Sequence, residues 1–247
     1  MRREYRPIAI PQEMDVDMGA KEKLRRSLIV TIDGPAGAGK TTISKLLAQR
    51  LGYRYMDTGA LYRAVAVAAV KAGVAADDDA ALAELCRGMA LDLRETGEGL
   101  RVLLNQKDVT ERIRTPEISM MASAVSARPA VRSFLLDTQR ALGAQGGIVA
   151  EGRDMGTVVF PQAEAKFFLD ADSGIRARRR YEELKMKGAA APDLETVERE
   201  MVQRDHNDST RPLAPLKAAA DALVIDSTHM TPEEVVARMI AHLSAIS

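Results

Sequence analysis

Residues Gly34, Pro35, Ala36, Gly37, Ala38, Gly39, Lys40 and Thr41 match the pattern G-x-x-x-x-G-K-[ST] at every fixed position. Each position has a physical task. The glycines let the backbone curl so that successive N–H groups face one anion. A helix opening at the end of the run adds its own unpaired N–H groups and the positive end of its dipole. Lys40 can reach the β- and γ-phosphates of a nucleoside triphosphate as a point charge, and the Thr41 hydroxyl can ligate Mg²⁺. Residues 34 to 41 and the following Thr42 are therefore the candidate triphosphate-binding set.

A second group of residues could hold another anion. In Asp57-Thr58-Gly59-Ala60-Leu61-Tyr62-Arg63 a strand candidate gives way to a helix, and Arg63 lies one turn in. A guanidinium there can clamp a phosphate through two parallel bonds, although an exposed arginine after such a turn is the plainer reading. Glu151-Gly152-Arg153-Asp154-Met155-Gly156 follows another strand candidate directly, so Arg153 and Asp154 stand where open α/β sheets bind ligands. Arg176, Arg178, Arg179 and Arg180 crowd one helix candidate, with Arg176 sharing a face with Arg179 and Arg180. Arg204 and Arg211 are spaced to lie on one side of a further helix. Residues 173–211 also carry many acids, and a solvated pair of charged helices is the alternative. Clustered arginines on a mobile excursion suit phosphoryl transfer, where cations arrive with the substrates and exclude water.

These residues need a frame. The apolar run Leu28–Asp33 reads as a buried parallel strand, and Ile43, Leu46, Leu47 and Leu51 recur at helical spacing over Thr41–Leu51, closed by Gly52. Tyr53–Asp57, Gly147–Ala150, Ala165–Leu169 and Ala222–Ile225 are further strand candidates. Helices are expected over Ala60–Ala72, 77–87, Pro116–Ala127 and Pro129–Leu142. Between Leu91 and Val109 the pattern changes to an antiparallel hairpin about a glycine-containing turn. Strands alternating with helices imply a mainly parallel sheet covered on both faces.

Composition narrows the classes. The 247 residues are 46% hydrophobic, with 35 Lys and Arg against 35 Asp and Glu. A net charge of zero argues against a bulk nucleic-acid binder. The single cysteine, Cys86, excludes an internal disulfide and fits a reducing cytosol; it reads as a small core residue. His206, His229 and His242 show no metal-ligand spacing. No apolar run approaches bilayer length. Residues 1–27 read as a flexible leader, without the apolar middle of a signal peptide.

The segments GPAGAGKTT (34–42), DTGALYR (57–63), EGRDMGTVVFP (151–161) and RDHNDSTRPLAPL (204–216) together resemble bacterial cytidylate kinase over roughly residues 28–243. The resemblance implies an α/β fold of three layers with a five-stranded parallel sheet, an acceptor-binding insert and a small helical lid. The core would comprise 28–59, 143–172 and 212–243, the acceptor-binding region 60–142 and the lid 173–211. By motif position, Arg63, Arg153 and Arg211 would hold the acceptor phosphate. Ser123, Arg132 and Asp154 would read the cytosine edge, with Thr58 and Tyr62 lining the pocket. Arg204 and Asp208 would contact the sugar, and Arg179 would reach the ATP phosphates from the lid. Lys40, Arg153, Arg179 and Arg211 would carry catalysis, with ATP, Mg²⁺ and CMP or dCMP as ligands. A cytoplasmic monomer with no nucleic-acid or membrane partner is implied. The stretch 205–210 carries fewer arginines than some relatives.

The expected reaction is in-line transfer from MgATP to an acceptor phosphate oxygen, which is already anionic near neutral pH and needs no strong base. No N-K-x-D motif marks a GTPase. The rivals are a kinase for AMP, UMP or shikimate on the same core, and a nucleotide-gated switch that hydrolyses ATP slowly.

Overall fold

The structure, a computed structural model, describes residues 28–96, 99–186 and 192–246; the leader proposed at 1–27 lies outside them. A five-stranded parallel sheet is formed by β1 (Ile29–Asp33), β2 (Arg54–Asp57), β6 (Ile148–Gly152), β7 (Ala165–Asp170) and β8 (Leu223–Asp226), in the order β2-β6-β1-β7-β8. β1 is central and buried along its length because both faces are covered. Its carboxyl end, with those of β2 and β6, lies at the phosphate loop, the crevice expected where strand order reverses.

One face is covered by α1 (Lys40–Leu51) and α8 (Pro232–Ile246). Ile43 and Leu47 pack with Val235, Met239 and Leu243 over Val30, Ile32 and Phe167. Burying each large apolar side chain contributes about 1.5–3 kcal/mol. On the other face Met155, Val159 and Phe160 pack on Met56, Ile148 and Ala150. α1 ends at Gly52 and α2 (Thr58–Ala72) at Gly73, both at φ 67°, where each glycine N–H returns to a carbonyl of the last turn.

α2 packs with the helices and the hairpin that follow it. α3 (Asp79–Arg87) and α5 (Pro129–Gly143) pack with α2 through Leu61, Val65, Leu82, Val131 and Leu135, and Cys86 is buried among them. α4 (Pro116–Val125) lies against α2 through Ile118 and Ala122. The expected hairpin is β3 (Leu91–Thr96) with β4 (Gly99–Leu104). A third short strand, β5 (Lys107–Asp108), was not anticipated. Its two-residue turn has Asn105 at φ 48° and Gln106 at φ 64°, and Gln at the position where glycine is usual hides the signal.

The last unit is a helical hairpin, α6 (Ser173–Met186) and α7 (Leu194–Thr210), joined through Ala177, Val197 and Met201. Asp172 caps α6 by accepting from the Gly174 and Ile175 N–H groups at 2.9 and 3.1 Å. Asp193 caps α7 in the same way through Thr196.

Candidate active site

The phosphate loop leaves β1 at Gly34. There φ is 150°, and a Cβ would lie 2.0 Å from the backbone oxygen of Leu169, so only glycine fits. Lys40 opens α1 and turns its ammonium back to the Pro35 carbonyl at 2.6 Å. Burial, then the charge of Arg153, pushes its pKa well below that of an ordinary lysine, with Glu151 opposing. Ala36 is held by the helical hairpin: its N–H donates to Asp205 at 3.3 Å and its carbonyl accepts from Arg176 at 3.0 Å. Arg176 also pairs with Asp205 and donates to the Ala171 carbonyl at 2.9 Å. It is thus a buried strut under the loop, on the same helix as Arg179 and Arg180 but with partners of its own.

Thr41 donates its hydroxyl hydrogen to Glu151 Oε1 at 2.8 Å, which leaves the oxygen lone pairs available. The Tyr55 hydroxyl donates to the same Oε1, and Glu151 Oε2 is buried without a partner. Burial, then the nearby Asp57, raises the Glu151 pKa, with Lys40 opposing. Thr41 together with an unsatisfied buried carboxylate oxygen is a suitable donor set for a hard cation such as Mg²⁺. Glu151 and Tyr55 were not singled out in the sequence. Glu151 stands inside a quoted motif at a strand end, which was the available signal; Tyr55 lies on another strand, so nothing local marked it.

A second group beside the phosphate loop gathers residues from five segments. Asp57 caps α2 by accepting from the Ala60 N–H at 2.9 Å, and it pairs with Arg63 at 3.0 Å. The Thr58 hydroxyl donates to the Glu151 carbonyl at 2.6 Å and so ties α2 to β6. Asp154, almost fully buried, pairs with Arg132 from α5 and stands 3.8 Å from Arg211. Burial pushes its carboxyl up and Arg132 and Arg211 pull it down. Arg132 also donates to the Ser126 carbonyl at 3.0 Å, and its guanidinium carbon lies 5.8 Å from the Tyr62 ring centroid. Burial raises the Tyr62 hydroxyl to about 12, with Arg132 opposing. Ser123 is half-buried on α4, and its carbonyl accepts from Ser126 at 2.8 Å.

Cations converge between these two halves. Arg153 donates to Asp208 at 2.8 Å, and Arg211 is held by the Ala214 carbonyl at 2.8 Å while standing 3.8 Å from Asp208. Burial alone would raise Asp208, yet Arg153 and Arg204 outweigh it and hold its carboxyl below the usual range. Burial and Arg153 lower Arg204 to about 10, with Arg63 and Arg180 adding to the repulsion. Arg204 Nε and Arg211 Nη2 are buried with no hydrogen-bond partner. Such groups are costly to leave unpaired, and an anionic ligand would satisfy them.

The structure brings Lys40, Arg63, Arg153, Arg204, Asp208 and Arg211 into one electrostatic neighbourhood, with Asp154, Arg132 and Tyr62 beside it. The Arg179 guanidinium donates to the Ser227 hydroxyl at 3.3 Å and carbonyl at 2.8 Å. Ser227 in turn donates to the Ala38 carbonyl at 3.3 Å. Arg180 of the same helix pairs with Glu183 at 2.8 Å, and its charge bears on Arg204.

The family model described as Cytidylate kinase matches residues 30–245. A cytidylate kinase from a Geobacter species is 56% identical over 86% of this chain and 91% of its own length. That of Geobacter sulfurreducens is 54% identical over 87% of this chain and 92% of its own. That of Carboxydothermus hydrogenoformans is 46% identical over 85% and 95%. A phosphate loop and a family match over nearly all described residues agree, and the chain belongs to the cytidylate kinase family.

Proposed function

We propose that this protein transfers the γ-phosphoryl group of ATP to the phosphate of CMP or dCMP, giving ADP and CDP or dCDP. The observation that carries this reading is two buried guanidinium nitrogens that lack a hydrogen-bond partner, Arg204 Nε and Arg211 Nη2, between the phosphate loop and Asp154. They suit an acceptor that is itself a phosphate.

An acceptor phosphate oxygen attacks the γ-phosphorus as the bond to the β-phosphate oxygen breaks. The oxygen is already charged, so no catalytic base is required, and positioning with charge neutralisation lowers the barrier. Residues 34–42 cradle the ATP phosphates. Lys40 exchanges the Pro35 carbonyl for a phosphate oxygen, and Arg179 and Arg180 close over them from the lid. Arg63, Arg153 and Arg211 hold the acceptor phosphate, and Arg204 and Asp208 meet the sugar and the charge between the substrates. Thr41 and Glu151 would hold Mg²⁺. When bound there it supplies neutralisation of the phosphate oxygens.

Asp154 with Arg132 and Ser123 would read the base. Cytosine offers an amino donor where uracil offers a carbonyl, so a buried carboxylate acceptor favours cytosine. One charge-assisted hydrogen bond is worth about 1.5–3 kcal/mol, or roughly 10–100-fold between the bases. We place the reaction in the cytoplasm, where the one buried thiol, Cys86, stays reduced, and assign it to a monomer. A coupled assay of ADP release with MgATP and separate CMP, dCMP, UMP and AMP tests the reading. Stoichiometric CDP or dCDP supports it. Another diphosphate overturns the base assignment, and ADP without any acceptor overturns the kinase.

A further inference from the structure

Asp33 ends β1 immediately before the phosphate loop, yet its carboxylate turns toward the acceptor side. It is buried, and its two oxygens accept the Met155 and Gly156 N–H groups, each at 2.8 Å. These amides begin the wide π-helical turn Met155–Val159. The first N–H groups of such a turn have no partner within it and need an acceptor from outside.

The usual acceptor would be the residue just before the turn, and aspartate is among the best of them. That residue is Asp154, at φ −145° and ψ 24°, and its side chain makes no cap bond. Its carboxylate goes instead to Arg132, with Arg211 at 3.8 Å. Two carboxylates could compete for one pair of amides, and Asp33 takes both. The turn is also seated against β1: a Cβ on Gly156 would lie 3.0 Å from Thr31 Oγ1.

We propose that Asp33 is a positioning residue for base selection: by capping the 155–159 turn from the neighbouring strand, it keeps the Asp154 carboxylate in the acceptor pocket. Without Asp33 the free amides of Met155 and Gly156 would draw Asp154 away from Arg132. The inference rests on the reading of Asp154 as the group that faces the cytosine edge. It also makes one strand, β1, the common support of the phosphate loop and of base selection.

The test is a double-mutant cycle on Asp33→Asn and Asp154→Asn, read as the ratio of kcat/KM for CMP to that for UMP, with ATP binding measured separately by calorimetry. An amide at position 33 offers one acceptor where two are used. D33N should lower the CMP preference about tenfold, the scale of a lost cap, with ATP affinity within about twofold. In the D154N background it should change the preference by less than about twofold, because the residue it positions is no longer a carboxylate. An unchanged preference in D33N, or an equal loss in both backgrounds, overturns the proposal. An unchanged preference in D154N alone overturns the underlying reading of Asp154 and is distinguishable from either result. One measurement needs no variant: in the parent protein the Met155 and Gly156 amides should be protected from hydrogen exchange, and exchange at open-loop rates overturns the proposal.

Discussion

The Nε of Arg153 donates to Asp208 at 2.8 Å, and through this one ion pair the end of β6 is joined to α7 of the helical hairpin. Both partners are largely buried, and Asp208 is acidic because Arg153 and Arg204 surround it. The Arg153 guanidinium is thereby held in place by an acid of the helical hairpin.

Asp208→Asn should therefore misplace Arg153 and remove an acceptor for the sugar. Losing one charge-assisted bond implies about a 10–100-fold rise in KM for CMP. The KM for ATP should change much less, since Asp208 stands on the acceptor side. Steady-state kinetics with each substrate varied in turn checks the split, and equal effects on both would contradict it.

Lys40→Ala should lower kcat by several orders of magnitude while the fold survives. The ammonium is held in a buried position beside Arg153, so its removal relieves a desolvation cost. The melting temperature should stay the same or rise. Near-normal turnover in a folded Lys40→Ala protein would refute the mechanism.

Gly37 sits at φ 74°, and a Cβ there would lie 2.7 Å from Met201 Cε and 2.9 Å from the Arg176 backbone oxygen. The methionine end can move, but the α6 backbone cannot. Gly37→Ala should cost about 1–2 kcal/mol in backbone strain and push the helical hairpin off the loop. The expected outcome is a raised KM for ATP together with faster hydrogen exchange in α6 and α7. An unchanged exchange pattern would show that the hairpin does not rest on this loop.

Stability should carry a pH signature of Asp33. Burial is the largest cause that raises its carboxyl from 3.8 to about 6, against the bonds from Gly156 and Met155. Between those values the folded chain keeps a proton that the unfolded chain has released, so this site loses stability as pH rises through the window. Asp33→Asn removes the titration. The difference in unfolding free energy should move toward the variant by about 2–3 kcal/mol between about pH 4 and about pH 7. Urea unfolding of both proteins at the two ends of the window measures it, and a flat difference would contradict the assignment.

Local order was legible in the sequence because it depends on neighbours along the chain. Alternating apolar runs, closing glycines such as Gly52 and Gly73, and the unbroken 34–41 pattern were enough to expect the sheet, its helices and the triphosphate loop. Arg63, Arg153, Asp154, Arg204 and Arg211 stood out by spacing and by their place at strand ends, and the resemblance carried by four short segments added Thr58, Tyr62, Ser123, Arg132 and Asp208. Only the tertiary structure decided which partners those side chains keep. Asp33 and Met155 are 122 residues apart, and Tyr55 and Glu151 are 96 apart, so no local pattern records that they meet. The arginines of α6 look alike in sequence. Packing against the loop buries Arg176 as a strut, Ser227 takes Arg179, and Arg180 is the one whose charge bears on Arg204. Helical spacing alone determines which residues share a face, whereas burial and the carbonyls and carboxylates contributed by distant segments determine what each of them does.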